Sequence, residues 1–189
     1  MSVVRLALQC GVHAFGMGIR SNEHGVPHWV RVWNNARRLA EIVPGVNPGY
    51  DMHVLAWFAF LHDCKRRDDG ADPGHGQRAY EYAKGLWHAG RLALDPDRML
   101  LLREALVGHS AGYLESDPVV KVCWDADRLD LVRFGVRPDP RRMCTEEGAR
   151  MARWASSTMP APISAQGAIA PQYGRGNRAR KARGRGIEQ

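Results

Sequence analysis

The chain has 189 residues, of which 44% are hydrophobic and 25% charged, which excludes collagen-like, disulfide-scaffold and fully disordered proteins and is enough for one domain with a sizeable core. The longest apolar stretch, Val54 to Leu61, is far short of the roughly 20 residues of a membrane helix. Of the net charge of +7, the segment from Gly174 to Gln189 carries +5, so basicity belongs mainly to the end of the chain.

Residues 1–158 read as one globular domain, and residues 159–189 as a disordered Gly/Ala/Arg-rich tail that buries too little apolar surface to offset its ordering entropy. No internal repeat is evident. The first residues lack a signal-peptide pattern, and no membrane partner is expected. Cys10, Cys64, Cys123 and Cys144 form no Cys-x-x-Cys pair, so they are expected to be free thiols in a cytoplasmic protein.

The elements read as helices in chain order. Val3 to Leu8 fits strand or helix equally well. Pro27 opens a helix through Trp29, Val32, Ala36 and Leu39 that ends near Glu41. Asp51 is the expected N-cap of a second helix running to Leu61, apolar on every side and therefore central to the core. A third spans about Gly74 to Trp87. A fourth begins at Asp95-Pro96 and runs to Val107. A fifth is expected from Pro118 to about Phe134, and a sixth starts at Thr145, with Glu146 and Glu147 at the positive end of its dipole. The fold class is an all-α bundle.

The informative polar residues fall at the ends of these helices. His62-Asp63 closes the most apolar helix, where an unpaired carboxylate would be very costly. His28 shares a helix face with Val32 and Ala36 and points inward. The string Asp125-Ala126-Asp127-Arg128-Leu129-Asp130 holds three acids among apolar neighbours, so at least one is expected inside. Two imidazoles with two carboxylates suit Mn, Fe or Co better than a structural zinc.

His28, His62-Asp63 and Asp127, separated by 34 and 64 residues, resemble the H…HD…D signature of the HD-domain metal-dependent phosphohydrolases. The local strings agree: His28-x-x-Arg31-Val32, Leu61-His62-Asp63 with Lys65, and Ala126-Asp127-Arg128-Leu129. The likeness covers about residues 21–135 and implies an HD-domain helical bundle. The Ala-Asp-Arg-Leu context selects Asp127 as ligand over Asp125. Asp130 is left as a second layer, with a contact to a substrate sugar in view. His75 and His109 resemble the extra histidines by which some members bind two ions, although a histidine at a helix C-terminus, like His109, is favoured there by the dipole alone. His24 is expected at the rim, touching substrate.

The resemblance implies a divalent transition metal, one or two ions, and a phosphomonoester or phosphodiester substrate, often a nucleotide. Asp63 would orient water as well as ligate. Arg31 and Lys65 are the preferred phosphate contacts, with Arg128 a further substrate-binding candidate, while Lys65 to Asp69 also reads as a solvated, self-paired loop. Two rivals remain open on the sequence: a di-iron oxygenase, which the six ligands permit, and a nucleotide-sensing module, which has little reason to keep them. The arginines of the tail suit weak, non-specific contact with nucleic acid.

Overall fold

A computed structural model describes residues 2–17, 21 and 23–158. The basic tail and the expected boundary at 158 against it lie outside the described residues. Among the described residues there are seven α-helices and no strand. They are α1 (Val3–Ala14), α2 (Val26–Ala40), α3 (Pro48–Leu61), α4 (His75–His88), α5 (Pro96–Gly108), α6 (Pro118–Leu129) and α7 (Glu146–Thr158). Short 3-10 turns follow at Asp130–Phe134 and Pro140–Arg142. No described helix is long and apolar enough to cross a membrane.

The segment left open between strand and helix is α1, started by Ser2, whose hydroxyl accepts from the Arg5 amide. Its glycine, Gly11, lets α1 lie directly against the Phe60 carbonyl of α3. Helix α3 begins earlier than expected. Asn47 is its N-cap, and its side chain accepts from Gly49 N at 2.9 Å. Asp51, expected as the cap, lies one turn inside and accepts from Asn47 N at 2.8 Å. The residue pair therefore closes the first turn from both sides.

From Val54 to Leu61 every residue of α3 is buried, because α1, α2, α5 and α6 surround it. Trp29, Trp57, Phe58 and Trp124 fill the centre. The expected fifth helix is shorter than its pattern suggested: α6 stops at Leu129 and the chain tightens into the Asp130–Phe134 turn. Helix α7 is held on α6 by one carboxylate. Asp125 accepts from Cys144 N at 2.7 Å, Thr145 N at 2.9 Å and Thr145 Oγ1 at 2.7 Å. Burial raises the Asp125 pKa in spite of these bonds. Thr145 in turn accepts from Gly148 N at 2.9 Å, the N-cap role expected of it.

Candidate metal centre

Helix ends build the site. His28 lies in the first turn of α2 and His75 opens α4, while His62-Asp63, His109 and Asp127 lie at the C-terminal ends of α3, α5 and α6. Three helix C-termini thus bring partial negative charge to one place, which favours a cation there. Close approach of α4 and α5 depends on Gly76, where any Cβ would overlap the Leu106 carbonyl.

Two histidine pairs flank Asp63. His28 Nε2 lies 2.9 Å from His62 Nε2, and Asp127 Oδ1 is 3.3 Å from the first and 3.8 Å from the second. His75 Nε2 lies 2.7 Å from His109 Nε2. Asp63 turns one oxygen to each pair. Its Oδ2 is 3.6 Å from His28 and 3.5 Å from His62, and its Oδ1 is 3.3 Å from His75 and 3.7 Å from His109. All four imidazoles and Asp63 are buried.

The outer nitrogens decide what the inner ones can do. His62 Nδ1 donates to Ala59 O at 3.1 Å, His109 Nδ1 to Leu106 O at 2.7 Å, and His75 Nδ1 to Asp72 O. His28 Nδ1 donates to Asp130 Oδ2 at 2.7 Å. Carbonyls and a carboxylate can only accept, so each Nδ1 carries hydrogen and each ring, when neutral, turns a lone pair inward. Two lone pairs facing each other within each pair repel unless a cation lies between them. Ligands at about 2.1 Å from an ion and 90° apart are about 3.0 Å from each other, which the spacing in both pairs matches. The groups His28–His62–Asp127, with Asp127 part-exposed, and Asp63–His75–His109, fully buried, can each hold a metal ion, and Asp63 spans the two.

Charge within the cluster agrees. Burial alone would raise the Asp63 pKa, yet the imidazoles around it, His62 first and then His109 and His24, hold it well below the usual carboxylate range. Asp127 is likewise held low against its burial, by His28 and His62. Burial opposes protonation of His28, but bonds to Asp127 and Asp130 win and raise its pKa.

Several expected contacts are placed elsewhere. Lys65 does not join the cluster: its ammonium lies over the Tyr82 ring at 4.6 Å and donates to Ala14 O at 3.4 Å. Its neighbour Arg66 takes that position, with Nη1 3.4 Å from His75 Nε2 and 3.7 Å from Asp63 Oδ1. Arg66 is braced from behind by Gly70 O at 2.7 Å and Asp68 O at 3.3 Å. Arg128 is a structural tie, bonded to Tyr113 O at 2.6 Å, Arg142 O at 2.9 Å and Cys144 Sγ at 3.0 Å. Asp130, expected near a substrate sugar, is engaged inside the protein by His28 and by Arg31 Nε at 2.7 Å. Arg31 itself is anchored there with 42% of its side chain exposed. His24 reaches further in than a rim residue: its Nδ1 is 2.9 Å from Asp63 Oδ2. Asp125, spent on α7, leaves Asp127 as the α6 residue at the centre.

Comparison of the chain with protein-family models, with curated proteins and with solved structures finds no match.

Proposed function

We propose that this protein is a metal-dependent phosphohydrolase of the HD-domain type, acting on a phosphomonoester or phosphodiester. The observation that carries the reading is Asp63 turning one oxygen to each of two inward-facing histidine pairs. His28, His62 and Asp127 would hold one ion, His75 and His109 a second, and Asp63 would touch both. Nitrogen and oxygen donors of this kind suit Mn, Fe or Co. Such ions, when bound, polarise a phosphoryl oxygen and lower the pKa of water.

The chain's own groups supply the rest. Arg66, backed by two carbonyls and facing the second pair, neutralises charge on a non-bridging phosphoryl oxygen. Arg31, fixed through Nε by Asp130, offers its exposed guanidinium at the edge of the first pair. Asp130 holds the His28 ring and its tautomer, the role a carboxylate plays behind a metal-bound imidazole. His24 donates Nδ1–H to Asp63, which leaves the Nε2 lone pair of the neutral ring as the atom that can accept a proton.

Metal analysis of the purified protein, with phosphate release screened over mono- and diesters under Mn²⁺, Co²⁺, Fe²⁺ and Mg²⁺, tests the proposal. It expects stoichiometric metal and turnover that vanish in Asp63→Ala. Oxygen consumption with iron and no phosphate release would replace it with an oxygenase. Ligand binding without any turnover would replace it with a sensor.

A further inference from the structure

Two helices are apolar on every side, and only one of them is enclosed. Helix α3 is surrounded by its neighbours. Helix α5 carries Met99-Leu100-Leu101-Leu102 and Ala105-Leu106-Val107, yet α3, α4 and α6 cover only its inner side. Met99, Leu102, Ala105 and Leu106 are buried there, while Leu100 is 61% and Val107 40% exposed. A helix with apolar residues all round is one that is covered all round, so the outer side of α5 is built to be covered.

The pattern on that side is ordered. Leu100 and Val107 are two turns apart and about 20° from alignment, so they form one stripe. Arg103 and Glu104 lie between them in height and about 50° to either side. Both are exposed. Among the described residues neither has an ion-pair partner, whereas Arg98–Asp95, Lys121–Glu115 and Arg150–Glu147 are paired on the surface of the same chain. Each is held on its own flank. The Arg103 guanidinium lies 5.7 Å over the Tyr80 ring of α4, and Glu104 accepts from Ser116 Oγ in the loop before α6. That loop adds two more exposed apolar residues, Tyr113 and Leu114.

We infer that this face is the interface of a homodimer, in which α5 packs parallel to α5 of a second copy about a two-fold axis running along the helices. Symmetry and charge select the arrangement. In a parallel pair each residue of the stripe meets its own copy, Leu100 on Leu100 and Val107 on Val107. The flanks are exchanged, so Arg103 of each copy faces Glu104 of the other. An antiparallel pair keeps like flanks together and sets Arg103 against Arg103 and Glu104 against Glu104, which charge repulsion opposes. Burial of the leucine and valine side chains supplies affinity. The two ion pairs at the rim are individually weak and supply orientation and choice of partner. The same helix ends in His109, so the second copy braces the helix behind the second histidine pair.

Sedimentation velocity of the full chain tests this, with the mass in solution read against the chain mass of 21.1 kDa. The wild type is expected to form dimers within about 1–100 μM. Arg103→Glu and Glu104→Arg should each weaken dimerisation about ten-fold or more, because both rim contacts then repel. An equimolar mixture of the two variants should dimerise again, since every glutamate then meets an arginine, and so should the double variant Arg103→Glu/Glu104→Arg. Leu100→Asp should be monomeric, with the helical circular dichroism of the wild type. A wild type that stays monomeric over the whole range overturns the proposal. So does a dimer that survives Leu100→Asp or both charge variants, because its contact then lies on another face. A mixture of the two charge variants that remains monomeric, with both folded, overturns the Arg103–Glu104 pairing and the parallel arrangement with it.

Discussion

The two histidine pairs are alike in shape and unlike in support. The first, His28 and His62, has Asp127 as a carboxylate of its own and Asp130 behind His28. The second, His75 and His109, has only backbone carbonyls behind it, borrows Asp63, and faces the Arg66 guanidinium. A carboxylate behind an imidazole raises its basicity as a ligand, and a neighbouring cation opposes a second positive charge. The first position should therefore bind an ion more tightly, and the second should be the one whose occupancy varies.

The sharpest way to break this asymmetry is to remove what the pairs share. Asp63→Ala should abolish metal retention at both positions and all phosphate release while preserving the helical circular dichroism of the wild type. Retention of either in a folded variant would show that Asp63 does not connect the pairs. Next in size, His75→Ala and His109→Ala should each lose one equivalent of metal and most turnover, with the first equivalent still measurable by elemental analysis. Asp130→Asn should act in the opposite sense. It should weaken the tighter equivalent by about 10–100-fold in a metal titration and spare the weaker one.

The smallest expected effect is a dependence on pH. An ion at His28 Nε2 displaces a proton from a group whose pKa is raised, so affinity should climb with pH through the imidazole range of about 6.5 and beyond. In metal-stripped protein the raised His28 contributes stability below its unfolded pKa, which is lost as pH rises through the folded value. The depressed Asp63 and Asp127 contribute stability above the carboxylate range, lost as pH falls through their folded values. The gain in melting temperature on adding Mn²⁺ should accordingly be larger at pH 8 than at pH 6. An equal gain at both would mean that no proton is displaced at the centre.

How much of this was legible in the sequence varied with position in the elements. Ligand candidates fell inside or at the ends of helices whose existence the sequence marks clearly, and all six meet at the two pairs. Direction was not legible beyond the helix ends. After Leu61 the chain continues through turn bonds such as Cys64 N to Leu61 O and Arg66 N to Asp63 O, and helical spacing no longer says which of Lys65 and Arg66 points at Asp63. The Lys65 ammonium is drawn to the Tyr82 ring, and Arg66 is left facing the cluster. Arg128 is placed away from the cluster for a related reason. Sequence adjacency to Asp127 suggested a shared target, yet neighbours on a helix point about 100° apart, and Arg128 faces the loop at Tyr113. Asp130 sits where α6 tightens into a 3-10 turn, which brings it round to His28 instead of outward to a ligand. The buried bond from His24 to Asp63 had no local signal, because Gly25 and Pro27 separate His24 from the periodic part of α2.

The most direct test of the central claim is a calorimetric titration of Mn²⁺ into the chelator-stripped full chain, run on the wild type and on His75→Ala. Two binding events of unequal affinity are expected in the wild type, with the weaker one missing in the variant and the tighter one unchanged. A single event, unaltered by His75→Ala, or no binding at all, would contradict a two-ion centre spanned by Asp63.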